Sequence, residues 1–172
     1  HEALVEMEKA HKLDPLSLPI NGALADAYFL NGRIDEAIEH NFKILELDHN
    51  FRTSLYSLGF LYLQKGDYDN AFKYLHEAQE KTGDKRKGIT PLGYAYAVTG
   101  QHEKAYECIK LLEEREVLEE NSSLSMDFAV IYGGLKDFDK VFYYLDKAFD
   151  ERLGGLIWLA VHPNWKIIRN DP

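Results

Sequence analysis

Small residues return at a nearly constant interval among the large apolar positions of the chain. The first set is spaced 34, 34 and 36 residues apart and consists of Ala25, Gly59, Gly93 and Ala129. A large apolar residue precedes each of them, and a tyrosine follows three positions later, at Tyr28, Tyr62, Tyr96 and Tyr132. A second set, with spacings of 34, 34, 34 and 36, consists of Ala3, Ala37, Ala71, Ala105 and Val141. A fixed period of this length predicts one structural unit used several times.

Each unit is predicted to be an antiparallel pair of α-helices. Two helices approach to about 8 Å only where a small side chain lies at the crossing. The expected crossings are Ala25 with Ala37, Gly59 with Ala71, and Gly93 with Ala105. The neighbouring leucines and tyrosines should then fill the space between successive pairs.

Glycines and acidic residues predict where the helices end and begin. The first helices should end at Gly32, Gly66 and Gly100, because a left-handed residue closes the last helical turn, whereas Lys136 takes this position in the last pair. The expected caps of the second helices are Asp35, either Asp67 or Asp69, and either Asp137 or Asp139. Thr90 and Pro91 should form the cap and first turn of the third first helix, which then starts late.

This pattern resembles the tetratricopeptide repeat, whose period is 34 residues, over about residues 1–152. The resemblance implies an all-α fold, a right-handed α-solenoid of about four and a half helix pairs with a C-terminal capping helix or turn, in a single domain over residues 1–172. The expected segments are the second helix of a truncated repeat at 1–17, repeats at 18–51, 52–85, 86–121 and 122–152, and the cap at 153–172.

The two ends of the chain depart from the repeat. The first residues match only a second helix, so we expect Leu4 and Met7 to be exposed there, to pack on a neighbouring molecule or an upstream domain, and the chain to be a fragment of a longer protein. From Leu92 through the apolar tail to Pro172, the order resembles the C-terminal region of bacterial multidomain signalling proteins. That resemblance implies an upstream output domain.

Charge and cysteine content narrow the function. The net charge of −9 argues against binding to nucleic acid or to anionic lipid. The basic cluster of Lys81, Lys85, Arg86 and Lys87 fits a solvated loop. No apolar run reaches the length of about 20 residues that a membrane span requires. Cys108 is the only cysteine, so the chain cannot form an internal disulfide and suits a reducing, cytoplasmic compartment.

The sequence predicts no catalytic, metal or cofactor site. The seven histidines form no zinc-binding motif, and no phosphate-binding glycine motif occurs. Cys108 is expected in the middle of a helix, where nothing lowers its pKa. The acidic run of Glu113, Glu114, Glu116, Glu119 and Glu120 fits a solvated helix end and loop. We therefore expect a protein that is not an enzyme.

The resemblance implies a concave groove lined by the first helices, where a partner would bind. The predicted partner-binding residues are Asp26, Tyr56, Phe60, Leu63, Lys87, Tyr94, Val98, Met126 and Val130. Phe29 and Leu30 fit either the groove or the core. Family members that grip chaperone C-termini use Lys and Asn at places where this chain has Gly22, Asp26 and Ser57, so a chaperone tail is not the expected ligand.

Two functions remain open at this point. The first is a scaffold that binds an extended or helical, largely apolar protein segment, including a segment of the same full-length protein, as the regulatory region of a bacterial signalling protein. The second is a structural spacer or dimerisation module with an empty groove, which forms a homodimer through exposed solenoid ends. A bound peptide in the groove favours the first function, and a large two-fold contact favours the second.

Overall fold

Paired helices make up the computed structural model, which describes residues 2–119, 123–160, 162, 165, 166, 168 and 169. Within those residues the helices are α1 (Glu2–Leu13), α2 (Leu18–Leu30), α3 (Ile34–Leu47), α4 (Arg52–Lys65), α5 (Tyr68–Glu80), α6 (Ile89–Val98), α7 (His102–Leu118), α8 (Ser125–Leu135) and α9 (Phe138–Asp150), followed by a 3₁₀ helix (Gly154–Ala160). The described ranges contain no strand, so the predicted all-α class is confirmed.

The chain divides into two compact units, unit 1 over residues 1–81 and unit 2 over residues 82–172. In unit 1, α1 packs on α2, α2 on α3, α3 on α4 and α4 on α5. In unit 2, α6 packs on α7 and on α8, and α8 packs on α7 and on α9. The four predicted pairs and the unpaired leading helix are therefore present. The assignment of residues 1–172 to a single domain stays a prediction.

Small residues lie at the helix crossings, as the period predicted. Ala37, Ala71 and Ala105 are fully buried. A Cβ atom on Gly59 would lie 2.5 Å from the side chain of Leu75 and 3.2 Å from the carbonyl oxygen of Ala71. Since van der Waals contact needs a wider separation, α4 and α5 approach this closely only because Gly59 has no side chain.

The tyrosine column joins the two helices of a pair. Tyr62 of α4 stacks on Tyr74 of α5, with ring centroids 5.6 Å apart, and Tyr132 of α8 stacks on Tyr144 of α9 at 5.7 Å. Offset stacking at these separations adds about 0.5–1.5 kcal/mol beyond area burial. The repeated tyrosines therefore stabilise each pair from within.

The ends of the first helices follow the sequence pattern. Gly32, Gly66 and Gly100 have φ angles of 76°, 75° and 79°, in the left-handed region that favours glycine. Lys136 takes the same position after α8 with φ 61°. The turn after α8 therefore has the same geometry as the other three, but its residue carries a Cβ atom that is sterically unfavourable in this region.

Two of the three predicted caps are confirmed. Asp67 and Asp137 each accept a hydrogen bond from a backbone N–H three residues later, at 3.2 Å. The prediction for Asp35 is wrong, because Arg33 stands at the cap position of α3 and Asp35 lies in its first turn. Its carboxylate instead forms an ion pair of 2.5 Å with Lys65 at the end of α4.

The third first helix starts late, as expected, but with another cap. Helix α6 begins at Ile89, and Gly88, not Thr90, stands at its cap position. The Thr90 hydroxyl donates to Asp127 Oδ1 of α8 at 2.6 Å. A contact with the neighbouring first helix has therefore replaced the local capping bond.

The prediction that Leu4 and Met7 are exposed is wrong. Leu4 is 4% exposed and packs with Leu24 and Ala27 of α2, and Met7 is partly buried against the same cluster. Helix α2 covers this face of α1 in the way that α4 covers α3 and α8 covers α7. The most exposed large apolar side chains at this end are Leu13, at 88%, and Leu16, at 70%.

The C-terminal tail folds onto α8, which confirms the predicted cap. A Cβ atom on Gly155 would lie 3.3 Å from Cγ of Met126, at the start of α8. Trp165 is 3% exposed and lies near Gly133, towards the end of the same helix. Arg169 Nη1 donates to the carbonyl oxygen of Ala160 at 2.7 Å and closes the tail on itself. In the described part of the chain, no helix is long and apolar enough to cross a membrane.

We expect Lys136→Gly to raise the free energy of unfolding by about 1 kcal/mol, because it removes the steric cost of a left-handed residue with a Cβ atom. Urea unfolding followed by circular dichroism measures the change. Gly66→Ala, at the same repeat position, is the matched control and should lower stability by a similar amount. A lower stability of the Lys136→Gly variant would contradict the argument.

A histidine pair, half-buried at His11 and buried at His40, lies between α1 and α3. His40 is 5% exposed, and its ring lies 5.1 Å from that of His11 and 6.0 Å from that of Tyr28. His11 Nδ1 and His40 Nε2 are buried without a hydrogen-bond partner in the described residues. The pKa of His40 is lowered from 6.5 to about 4, mainly by burial and to a smaller extent by the charges of His11 and Lys43. The charge of Glu39 acts in the opposite direction.

The protein should lose stability as the pH falls from 6.5 towards 4, because the unfolded chain then binds a proton at His40 that the folded chain excludes. At about 1.4 kcal/mol for each pKa unit, the shift from 6.5 to about 4 makes the contribution of His40 about 3 kcal/mol, fully present above the unfolded pKa. Urea unfolding at several pH values measures it. His40→Tyr, which copies Tyr74 and Tyr144, should flatten the dependence, whereas the exposed control His102→Gln should not. An unchanged slope in His40→Tyr would refute the assignment.

Candidate functional site

The candidate surface of unit 1 lies on α2 and α4. Phe29 and Phe60 meet edge to face, with centroids 5.5 Å apart and an interplanar angle of 86°. Both rings are half-buried, and Phe29 also packs on the core cluster around Leu58. Leu30 is 43% exposed. Phe29 is thus shared between the core edge and the surface, whereas Leu30 lies on the surface.

Asp26 is an exposed carboxylate on the same side of α2, three and four residues before Phe29 and Leu30. In the part of the chain that the structure describes, no Lys or Arg pairs with it. Partial desolvation by the surrounding protein raises the pKa of Asp26. The α2–α4 surface, defined by Asp26, Phe29, Leu30, Tyr56 and Phe60, is therefore apolar and aromatic with one unpaired negative charge.

Tyr56 and Leu63 contribute less open surface than predicted. Leu63 is 9% exposed and belongs to the buried side of α4. Tyr56 is half-buried, and its hydroxyl is buried without a hydrogen-bond partner among the described residues. Burial raises the pKa of Tyr56, while the nearby Arg52 acts in the opposite direction. Tyr56 therefore contributes only part of its side chain to the surface, because its hydroxyl is enclosed by the protein.

In unit 2, the predicted residues of α6 are only partly open. Tyr94 is half-buried, and its ring lies 3.2 Å from where a Cβ atom on Gly134 would be. Burial raises the pKa of Tyr94. Val98 is 43% exposed at the end of α6. Tyr94 thus contributes to the contact between α6 and α8, and Val98 remains on the surface.

The C-terminal tail takes part of the predicted groove in unit 2. Met126 is half-buried and lies against Gly155 of the 3₁₀ helix. Val130 lies one turn further along α8 and is also half-buried. The tail thus lies against the side of α8 on which these two residues stand. This contact was not foreseen, because the tail does not follow the repeat.

The sequence does not predict the hydrogen bond between Thr90 and Asp127. It predicts that Thr90 caps a helix, whereas the Thr90 hydroxyl donates to Asp127. Burial raises the pKa of Asp127, and the bond from Thr90 and the charge of Arg115 oppose that shift. The two residues stand one repeat plus one position apart, which places them on facing turns of successive first helices. This spacing was the signal that could have indicated the contact.

Lys87 lies outside the helices, in the turn before α6, and is exposed. Its basic neighbours are engaged locally: Arg86 pairs with Asp84 at 3.1 Å, and Lys81 lies 3.0 Å from Asn50 Oδ1. The cluster therefore does not present a continuous basic surface, in agreement with its interpretation as a solvated loop.

The described residues bear on two kinds of chemistry, metal binding and attack by a cysteine thiol. No three His, Cys, Asp or Glu side chains of that part of the chain are placed to hold a metal ion. Cys108 is 4% exposed, and burial raises its pKa to about 11. Since the thiolate is the nucleophile, this thiol stays protonated near neutral pH and acts as a packing residue.

Comparison with known families supports the repeat assignment in unit 1. One tetratricopeptide-repeat model matches residues 1–58, and a second matches residues 53–80. The curated proteins yield no match. Tetratricopeptide repeats indicate a protein–protein interaction module, which agrees with an exposed apolar surface on successive first helices.

We expect Tyr56→Phe to raise the free energy of unfolding by about 1 kcal/mol, because it removes a buried hydroxyl without a partner. Urea unfolding measures the effect. Tyr143→Phe, at an exposed tyrosine of α9, is the matched control and should be nearly neutral. A loss of stability in Tyr56→Phe would show that the hydroxyl has a partner, such as an ordered water molecule.

Proposed function

We propose that the chain is a protein-binding module that takes a largely apolar segment of a partner on the α2–α4 surface. The observation that carries the proposal is the Phe29–Phe60 ring pair beside the exposed Leu30 and the unpaired Asp26. Aromatic residues are enriched among the residues that dominate binding energy. Exposed apolar patches on otherwise polar proteins mark interaction sites.

The ligand should combine an apolar stretch with one cation. Asp26 would repel a carboxylate, and a Lys or Arg of the partner could pair with it at the edge of the aromatic rings. An extended or helical segment with these features fits better than an acidic C-terminal tail.

In unit 2, Lys87, Val98 and the partly covered Tyr94, Met126 and Val130 are proposed as a separate contact surface. Because the tail lies on Met126, this surface is less open than the α2–α4 surface.

The biological setting proposed for the module is regulatory. The likeness of residues from Leu92 onwards to bacterial signalling proteins supports a role as the regulatory region of a longer protein. The bound segment would come from another protein or from another part of the same full-length protein. A single buried thiol at Cys108 supports a reducing, cytoplasmic compartment.

Selection of a random peptide library on the purified chain tests the proposal. Enriched peptides should be apolar with at least one Lys or Arg. Their affinity, measured by fluorescence anisotropy, should fall by about fivefold or more for the double variant Leu30→Ala and Phe60→Ala. Asp26→Asn should reduce the preference for a basic residue and weaken the salt dependence of binding.

Leu47→Ala is the matched control, because Leu47 lies at the end of α3 and is 46% exposed. Circular dichroism should show unchanged helical content in all variants. If no peptide is enriched, or if the double variant binds as tightly as the native chain, the surface assignment fails and the spacer or dimerisation function gains support.

A further inference from the structure

Helix α9 presents an aromatic face that the described part of the chain leaves largely open. This C-terminal aromatic face consists of Phe138, Phe142 and Phe149, which are 36%, 39% and 73% exposed. The spacings of four and seven residues place all three rings on one side of the helix. At about 200 Å² for each Phe, the open aromatic area is about 300 Å².

The corresponding face of α3 shows one element that can cover such a face. The same repeat positions carry Ile34, Ile38 and Leu45, and α4 covers them. Ile38 is 8% exposed and packs in one cluster with Leu58 and Leu61 of α4. A helix with leucines three residues apart is therefore the element that fits this position in the repeat.

The carboxylate of the ion pair beside that interface has an equivalent on α9 that pairs with no Lys or Arg of the described residues. Lys65, the last residue of α4, pairs with Asp35 of α3 at 2.5 Å. Asp139 holds the position of Asp35 on α9, and Asp146 and Asp150 continue an exposed acidic line beside the aromatic face. Within the described ranges none of these three carboxylates pairs with a Lys or Arg.

The described residues of the tail leave the aromatic face of α9 open. The tail lies against Met126 and Gly133 of α8. Leu153 and Leu156 approach Phe149 and line a shallow hollow with it, together with Asp150 and Arg152. A helix on the aromatic face would therefore contact α9 and this hollow and leave the contact between the tail and α8 intact.

We propose that the C-terminal aromatic face binds an amphipathic α-helix of a partner protein, with a leucine-rich face and basic residues along its edge and at its C-terminal end. The internal contact of α4 with α3 sets the apolar pattern, and the unpaired acidic line sets the charge. A second copy of this chain fits less well, because its net charge is −9 and a two-fold contact would bring the acidic lines together.

A peptide with the sequence of α4, RTSLYSLGFLYLQK, is the probe, since it covers the corresponding face of α3 and carries two basic and no acidic side chains. The labelled peptide, with both termini blocked, is titrated with the full chain and followed by fluorescence anisotropy. The double variant Phe142→Ala and Phe149→Ala should weaken binding about tenfold or more. Asp139→Asn should weaken it about twofold to threefold and reduce its salt dependence.

Tyr143→Ala is the matched control, because Tyr143 lies on the other side of α9 and is 62% exposed. If the double variant does not fold, Phe149→Ala alone serves, since that ring is 73% exposed and contributes little to the core. Equal binding of the peptide by the native chain and the Phe variants would overturn the proposal. So would a concentration-dependent dimer in light scattering that the Phe variants abolish, because a second copy would then be the occupant.

Discussion

The structure depends on the close approach of two helices at residues that have almost no side chain. At Gly59, even one methyl group would overlap Leu75 of the facing helix. In unit 2, a methyl group on Gly93 would overlap Ile131 of α8 and lie 3.0 Å from Cβ of Cys108 on α7. Gly93 therefore serves two interfaces at once. Because cores are close-packed, this approach also determines where the stacked tyrosines and the covering leucines can lie.

The repeat determines which positions are packed in the helix pairs, whereas the type of side chain at a packed position varies from one repeat to the next. One position on the second helices carries His40, Tyr74, Cys108 and Tyr144 in turn, and each faces the tyrosine column of the paired helix. Burial lowers the pKa of His40 and raises that of Cys108, so both are neutral near neutral pH. Groups that are reactive in other proteins serve here as packing residues.

The first and the last described helices differ in which elements cover their apolar side chains. At the N-terminal end, α2 covers Leu4 of α1 and leaves Leu13 exposed. At the C-terminal end, the tail covers Met126 and brings Trp165 into the interior, yet the phenylalanines of α9 stay open. A repeat buries its apolar face only against a neighbouring element. The side chains on the first and last helices are therefore buried where such an element is present and exposed where it is not.

The sequence by itself determined the period, the helix pairs and the left-handed ends at Gly32, Gly66 and Gly100, because these follow from contacts within one helix or one pair. It narrowed two caps to a choice of two aspartates each, and the structure selects Asp67 and Asp137. It did not determine that Asp35 pairs with Lys65, that Thr90 binds Asp127, or that the tail covers Met126. It also assigned Leu63 to the open surface, although its position on α4 is buried. Periodicity defines which side of a helix is apolar. Which neighbour covers that side depends on residues 29 to 37 positions apart, and only the tertiary structure brings those together.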